Sequence, residues 1–295
     1  TCDSTSNTFF LELRHQSDLK LQGLVADQNK DIALIGTIQN SVFGGLDVCF
    51  FKFDSLGNLL NSKVYGSSLD NEGRSVSIDE APGAGYYVGF FSDVASSRTS
   101  EIMKIDYLGN IIWKKSMCDL NNCFARSIKT SIDGGVILGG KSDGNCVIAK
   151  VDSQGNLIFH KTFGGSGNDQ LSGVFELPDS SIVGFIHQTT QATGNQDGAI
   201  VRIDKAGNLI WQNSYGNSKN DALIDGFYSS QENVIYAMGI IDNSTKDILI
   251  LKVDLSGNIL ESFALDAGSF EKGSSIYEGK NKAIYISGYG DGAQS

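Results

Sequence analysis

Five aspartates stand at the head of one recurring word. Asp54, Asp106, Asp152, Asp204 and Asp254 open DSLGN, DYLGN, DSQGN, DKAGN and DLSGN, at intervals of 52, 46, 52 and 50 residues. Carboxylates at a fixed spacing raise the question of cation binding. A calcium loop, however, needs alternating carboxylates and a terminal bidentate Glu, and each of these words supplies one acid. The chemistry left to them is local: the Asp oxygens accept turn N–H groups, and the Gly takes the positive φ that closes a tight turn. A basic residue stands two before each Asp: Lys52, Lys104, Lys150, Arg202 and Lys252. It reads as an i, i+2 surface pair or as a stem snorkelling to solvent. Repetition in every unit suits structure, because catalysis needs one asymmetric site. No metal site and no cofactor are expected here.

Histidines and cysteines are few and scattered. His15, His160 and His187 fall in different strand types of different repeats, which argues against a metal triad or a Ser-His-Asp constellation, and no catalytic residue is assigned. Cys49 and Cys146 begin equivalent apolar strands and read as small hydrophobes. Cys118 and Cys123 enclose the loop MCDLNNC. Their separation lets the Cα atoms approach the roughly 5.5–6 Å of a disulfide, which an exported chain would form. Cys2, followed by the polar DSTSN, reads as a candidate lipidation site, although Thr1 precedes it.

The elements that carry these residues repeat with them. Each DxxGN follows a short apolar strand (FFKFD, IMKID, VIAKVD, IVRID, LILKVD) and precedes another (LLNSKVYG, IIWKKSM, LIFHKTFG, LIWQNSYG, ILESFAL), so each word is the turn of a hairpin. Two further strands complete the unit. One is rich in small residues, as in ARSIKTSI; the other is apolar with an internal Gly, as in YYVGFF. In the order a, b, c, d, strands a and b occur six times and c five. A sixth d strand opens the chain, because TFFLELRHQSD aligns without gaps on the stretch around LLNSKVYGSSL. Four strands per repeat of about fifty residues predict an all-β fold, a β-propeller of four-stranded antiparallel blades. The expectation is one domain over 1–295, with six blades, or seven or eight if the chain is trimmed, and a last blade closed by the N-terminal strand.

Composition agrees. Of 295 residues, 35 are Gly and only two are Pro, so many tight turns and few helical stripes are expected. The net charge of -11 repels phosphate backbones and argues against nucleic acid as a partner. No run of 18 apolar residues suggests a transmembrane segment.

The unit D-x-x-G-N-ϕ-ϕ-W-x-x-x-[YF]-G, followed by a GR-type strand and DGG-ϕ-ϕ-ϕ-x-G, resembles the secreted bacterial and archaeal β-propeller repeat of the SBBP type. That repeat is related in shape to quinoprotein-like propellers. The resemblance spans nearly the whole chain and implies a propeller that serves as adhesin, scaffold or binding module. The docking Trp of the quinoprotein repeat is matched by Trp113 and Trp211; elsewhere the place is held by Ser62, Phe159 and Glu261, or close neighbours. The sialidase Asp-box has an Asp-to-Gly spacing one residue shorter and does not match.

In such a unit the d–a and b–c loops share one face. The b–c loops vary in length and sequence (QNSVFGGLDV, SDVASSRTSE, QTTQATGNQDG), which makes 38–48, 92–101 and 188–198 the expected partner-binding segments. Polar candidates on that face are Asp70, Asn71, Asp169, Asn220, Asp221, Gln196 and Asp197. The leading expectation is an exported, non-enzymatic module for binding, adhesion or assembly at a cell surface or in the periplasm. Its partner would be a protein or glycan. The alternative is a propeller enzyme of the glycosidase, lyase or quinoprotein-like kind, with a site at the central channel.

Overall fold

The computed structural model describes residues 19–39, 45–66, 77–81, 83–94, 97–116, 123–164, 167–189, 196–217, 219–242, 246–266, 271–279 and 281–290. Among the described residues five antiparallel sheets follow one another, each a meander of four strands in sequence order. The first holds β1 (Leu19–Ala26), β2 (Ile32–Gln39), β3 (Leu46–Phe53) and β4 (Leu59–Tyr65). The second holds β5 (Ser77–Ala81), β6 (Gly85–Val94), β7 (Ser97–Ile105) and β8 (Ile111–Ser116). The third holds β9 (Cys123–Thr130), β10 (Val136–Ser142), β11 (Asn145–Val151) and β12 (Leu157–Phe163). The fourth holds β13 (Gln170–Glu176), β14 (Ile182–Thr189), β15 (Gln196–Ile203) and β16 (Leu209–Tyr215). The fifth holds β17 (Ala222–Ser229), β18 (Val234–Asp242), β19 (Lys246–Val253) and β20 (Ile259–Leu265), and a two-stranded sheet of β21 (Glu271–Glu278) and β22 (Ile284–Gly290) follows. Among the described residues there is no helix, as the fold class requires. The N-terminal strand expected from TFFLELRHQSD lies outside the described residues.

Each strand's sequence states its depth. The b and c strands read as continuous apolar runs and are buried along almost their whole length, as in β2 and β11. The d strands mix Lys, Ser and Asn with apolar residues and are largely exposed, as in β4 and β20. The DxxGN word is followed by two apolar residues, and only one can pair. Lys52 faces Asn61 and Phe53 faces Leu59, so Leu60 is the extra residue of a β-bulge; the same skip recurs in the next four sheets. Both members of the pair are about half exposed.

By packing, the chain divides into two compact units. One comprises 1–130 with 134–136 and 153–155, and the other 131–133, 137–152 and 156–295. The core of the first is built on Ile35, Phe50, Tyr86, Val88, Phe90, Met103 and Ile105. That of the second includes a cluster on Ile148, Leu171, Ile186 and Val201, and another on Val183, Phe185, Ile200, Leu223 and Leu251. Each such side chain contributes about 1.5–3 kcal/mol by leaving water.

The DxxGN aspartates cap their turns. Asp54 Oδ1 accepts the N–H of Leu56 at 2.9 Å and of Asn58 at 2.8 Å, and its Oδ2 accepts Asn58 Nδ2 at 2.8 Å. Asp106, Asp204 and Asp254 repeat all three bonds, and Asp152 the two from Asn156. The d strands hold the next turn through its carbonyls. Trp113 Nε1 donates to Ser153 O at 3.1 Å and Trp211 Nε1 to Leu255 O at 3.0 Å. Register places Asn61, not Ser62, at the equivalent of Trp113, and Asn61 Nδ2 donates to Leu108 O.

Candidate functional site

Two layers of ionisable residues run through the sheets, one at each end of the strands. At the a–b turn end the recurring cation departs from the surface-pair expectation. Lys52 and Lys150 are only 5% and 4% exposed. Their partners are acids of the a–b turn, or of a neighbouring a strand, and not the Asp two residues on. Lys52 Nζ lies 3.1 Å from Asp27 and 3.0 Å from Asp31, and Lys150 Nζ lies 2.8 Å from Asp133 and 3.1 Å from Glu176. Arg202 bonds Asp179 at 2.7 Å, and Lys252 pairs with Glu232 and Glu261. Burial alone would lower the Lys150 pKa; Asp133 and Glu176 outweigh it and hold the ammonium above its ordinary value. Burial lowers the Lys104 pKa. These pairs recur with partners satisfied, which suits anchoring.

The opposite end, where b runs into c and d into the next a, holds the polar candidates. Asp169 and Asp221 are 0% and 1% exposed and occupy equivalent places just before β13 and β17. Each ties the head of its a strand to the tail of its b strand. Thr189 N donates to Asp169 Oδ1 at 2.9 Å, and Asp242 N donates to Asp221 Oδ1 at 2.8 Å. Asp221 Oδ2 also accepts Asn217 N. The [YF]-G ending of the d strand follows from this. A Cβ on Gly164 would collide with Asp169 Oδ2, and one on Gly216 with Asp221 Oδ2. Their φ values of 135° and 153° also favour glycine.

Asp197 is set against this frame. It sits in β15 directly across from Gln188 in β14, and its neighbour Gly198 lets the backbone approach Ala222 and Leu223 at the start of β17. That contact brings Asp197 into the field of Asp221. Burial first, and the Asp221 charge second, push the Asp197 carboxyl above the usual carboxylate range. Five residues before the recurring cation, the same register holds Asp47 and Asp247, which are 0% and 4% exposed. Asp197 is half-buried and reachable.

The remaining expectations fall as follows. Gln196 pairs with Thr189 through β15 and β14, and Asn220 is exposed beside Asp221. Asp70 and Asn71 lie outside the described residues, as do Cys2, Cys118 and the side chain of Cys123. Cys49 and Cys146 are buried free thiols, and burial pushes the Cys49 thiol up to about 12. The segment 92–101, expected as an irregular loop, is a ladder wherever it is described: Ser92 pairs with Thr99, Asp93 with Arg98 and Val94 with Ser97. Likewise Gln188 and Thr189 pair with Asp197 and Gln196, so the strands extend into the expected loop 188–198. Among the described residues no group of three or more His, Cys, Asp or Glu could hold a metal ion, and no helix is long and apolar enough to cross a membrane.

No protein-family model matches the chain, and no curated protein matches it in sequence. Solved structures do match in fold. The periplasmic gluconolactonase PpgL of Pseudomonas aeruginosa is similar at 9% identity and TM-score 0.59, over 90% of this chain and 77% of that one. A protein assigned as a 6-phosphogluconolactonase from Bacteroides uniformis is similar at 13% identity and TM-score 0.58, over 90% and 76%. The β-propeller domain of the Trilobed protease from Pyrococcus furiosus is similar at 12% identity and TM-score 0.54, over 92% and 78%. The chain spans 55% of the length of a eukaryotic initiation factor that it also matches. These likenesses show a β-propeller fold, with the five four-stranded sheets as blades. They also correct the leading expectation of a non-enzymatic binding, adhesion or assembly module: two of these propellers are lactonases by name, so the alternative enzyme reading is the better supported.

Proposed function

We propose that this protein is a propeller hydrolase that opens small, hydroxyl-rich cyclic esters of the sugar-lactone class, with Asp197 as its general base. One observation carries the proposal: a reachable carboxylate, Asp197, is fixed on β15 beside a buried one, Asp221, whose oxygens are already taken by backbone N–H groups. The two acids therefore have different parts. Asp221 is held in place and supplies charge; Asp197 is free to exchange a proton. A carboxylate made more basic by burial and a like charge removes a proton from water more readily. The water oxygen bonds to the lactone carbonyl carbon, the ring C–O bond breaks, and the departing alkoxide recovers the proton from Asp197. The product is the open hydroxy acid. The names of two similar propellers support this substrate class.

The test is a pH-stat assay of sugar lactones, with 4-nitrophenyl glycosides as the competing class, read against the uncatalysed rate. Lactone opening above background that collapses in Asp197→Asn supports the proposal. Glycoside cleavage alone, or an Asp197→Asn variant with unchanged rate, sinks it. We also place the protein outside the cytoplasm, on the spacing of Cys118 and Cys123. Non-reducing peptide mapping that finds both thiols free in protein from its native compartment removes that support.

A further inference from the structure

The recurring cation gives every four-stranded sheet a common register, and one sheet breaks the pattern. Three residues before the cation, strand c carries Cys49, Val147, Ala199 and Leu249, all buried. In β7 the residue is Glu101, with its side chain 14% exposed. A second departure accompanies it. The outer-strand position that faces Met103 holds Lys114, where the other sheets have Ser62, His160, Gln212 and Ser262. Lys114 Nζ lies 2.6 Å from Glu101 Oε2 and 5.1 Å from the centre of the Phe90 ring. Lys114 also lines a cavity of about 240 Å³ whose other walls are Val64, Tyr65, Gly66, Phe90, Met103 and Ile111.

Blade packing does not call for this arrangement. Small or apolar residues serve the same position four times, so packing alone does not require a carboxylate there. What the arrangement does suit is recognition of an ammonium group. A carboxylate and an aromatic face converge on one point, and the chain's own lysine marks where the cation sits. Lys114 is 42% exposed and can swing into water on its flexible stem.

We propose that the first unit carries a binding site for a small primary amine with a hydrocarbon body. The ligand's ammonium replaces Lys114 between Glu101 and Phe90, and its alkyl or aryl chain enters the cavity. Val64, Phe90, Met103 and Ile111 in the wall favour the chain, and Glu101 repels a carboxylate head. The net charge of -11 draws cations toward the protein. The site involves neither Asp197 nor Asp221, so it stands or falls apart from the hydrolase reading.

The experiment titrates n-hexylammonium, n-hexanol and n-hexanoate into the wild-type protein and two variants, Glu101→Gln and Lys114→Ser, by calorimetry and NMR, with melting curves as fold controls. Saturable binding of hexylammonium is expected, tighter than that of either other probe. Lys114→Ser, which places in β8 the serine found in two other sheets, removes the internal competitor and should tighten binding about two- to fivefold. Glu101→Gln keeps the shape and should weaken it about tenfold or more. The proposal is overturned if hexylammonium fails to saturate both the wild type and Lys114→Ser. It is equally overturned if Glu101→Gln binds unchanged, or if hexanoate binds as tightly as the amine.

Discussion

Beside Gly164, between β11 and β13, stand Asn145 and Asp169; at the matching place between β15 and β17 stand Asp197 and Asp221. The frame is the same in both. A buried Asp ties the a strand to the b strand, and a glycine ends the d strand because the carboxylate fills the space of its Cβ. The guest differs. An amide can rest against a carboxylate without electrostatic cost, whereas a second carboxylate is repelled and becomes more basic. In a repeat protein the frame is repeated because every blade needs it, so chemistry must come from a residue that departs from or is released by the pattern. Asp197 does so by staying reachable where Asp47 and Asp247 are buried.

The largest expected effect separates the two guests by activity. Asp197→Asn makes the second junction resemble the first and should lower lactone hydrolysis by about 10²- to 10⁴-fold, the worth of a general base. Asn145→Ser should leave the rate within about twofold of wild type, since the proposed chemistry does not use that junction. Initial rates at fixed substrate decide between them; equal losses in both variants would erase the distinction.

The frames themselves should prove equal. Asp169→Ala and Asp221→Ala each orphan backbone N–H donors at a buried site and should cost about 1–3 kcal/mol, read as a shift of the urea midpoint. A much smaller cost at either site would show that it is not an anchor.

The pH profile sharpens the comparison further. A general base works only when ionised, and the Asp197 pKa is raised, so activity should fall away on acidification at a pH above the ordinary aspartate range. Asp221→Asn removes the like charge, lowers the Asp197 pKa and should move that acidic limb toward lower pH. A limb that stays put would mean that burial alone sets the shift. The stability sign runs the other way. A raised carboxyl pKa means the folded state binds the proton more tightly than the unfolded one, so this group favours folding more as pH falls through its folded and then its unfolded pKa.

The smallest effect is a reciprocal exchange of stability. At neutral pH Asp197→Asn relieves repulsion and should stabilise by roughly 0.5 kcal/mol, discounted for solvent screening, while Asn145→Asp should destabilise by a similar amount. Thermal melts in low and high salt test it, because the difference should shrink as salt rises. Opposite signs would exclude a like-charge origin.

The five DxxGN words are short-range devices, and their physics is complete within five residues; turn position, capping by Asp54 and its equivalents, and strand order could therefore be read from the chain alone. The cation two residues before each Asp was misread: its partners lie in a–b turns, in a neighbouring a strand, as with Lys150 and Glu176, or in the adjacent d strand, as with Lys252 and Glu261, and spacing along one strand carries no record of them. The expected loop 92–101 was misread for a similar reason, since Ser, Thr and Arg pair as readily as apolar residues once strands register. Asp169, Asp197 and Asp221 could be listed from sequence but not told apart, because a free carboxylate and a backbone-tied one are written with the same letter. Local sequence determined the blade and its turns, where every interaction closes within a few residues. Only tertiary structure decided which aspartate is held and which is reachable, because desolvation and like charge arise between strands that the chain itself keeps far apart.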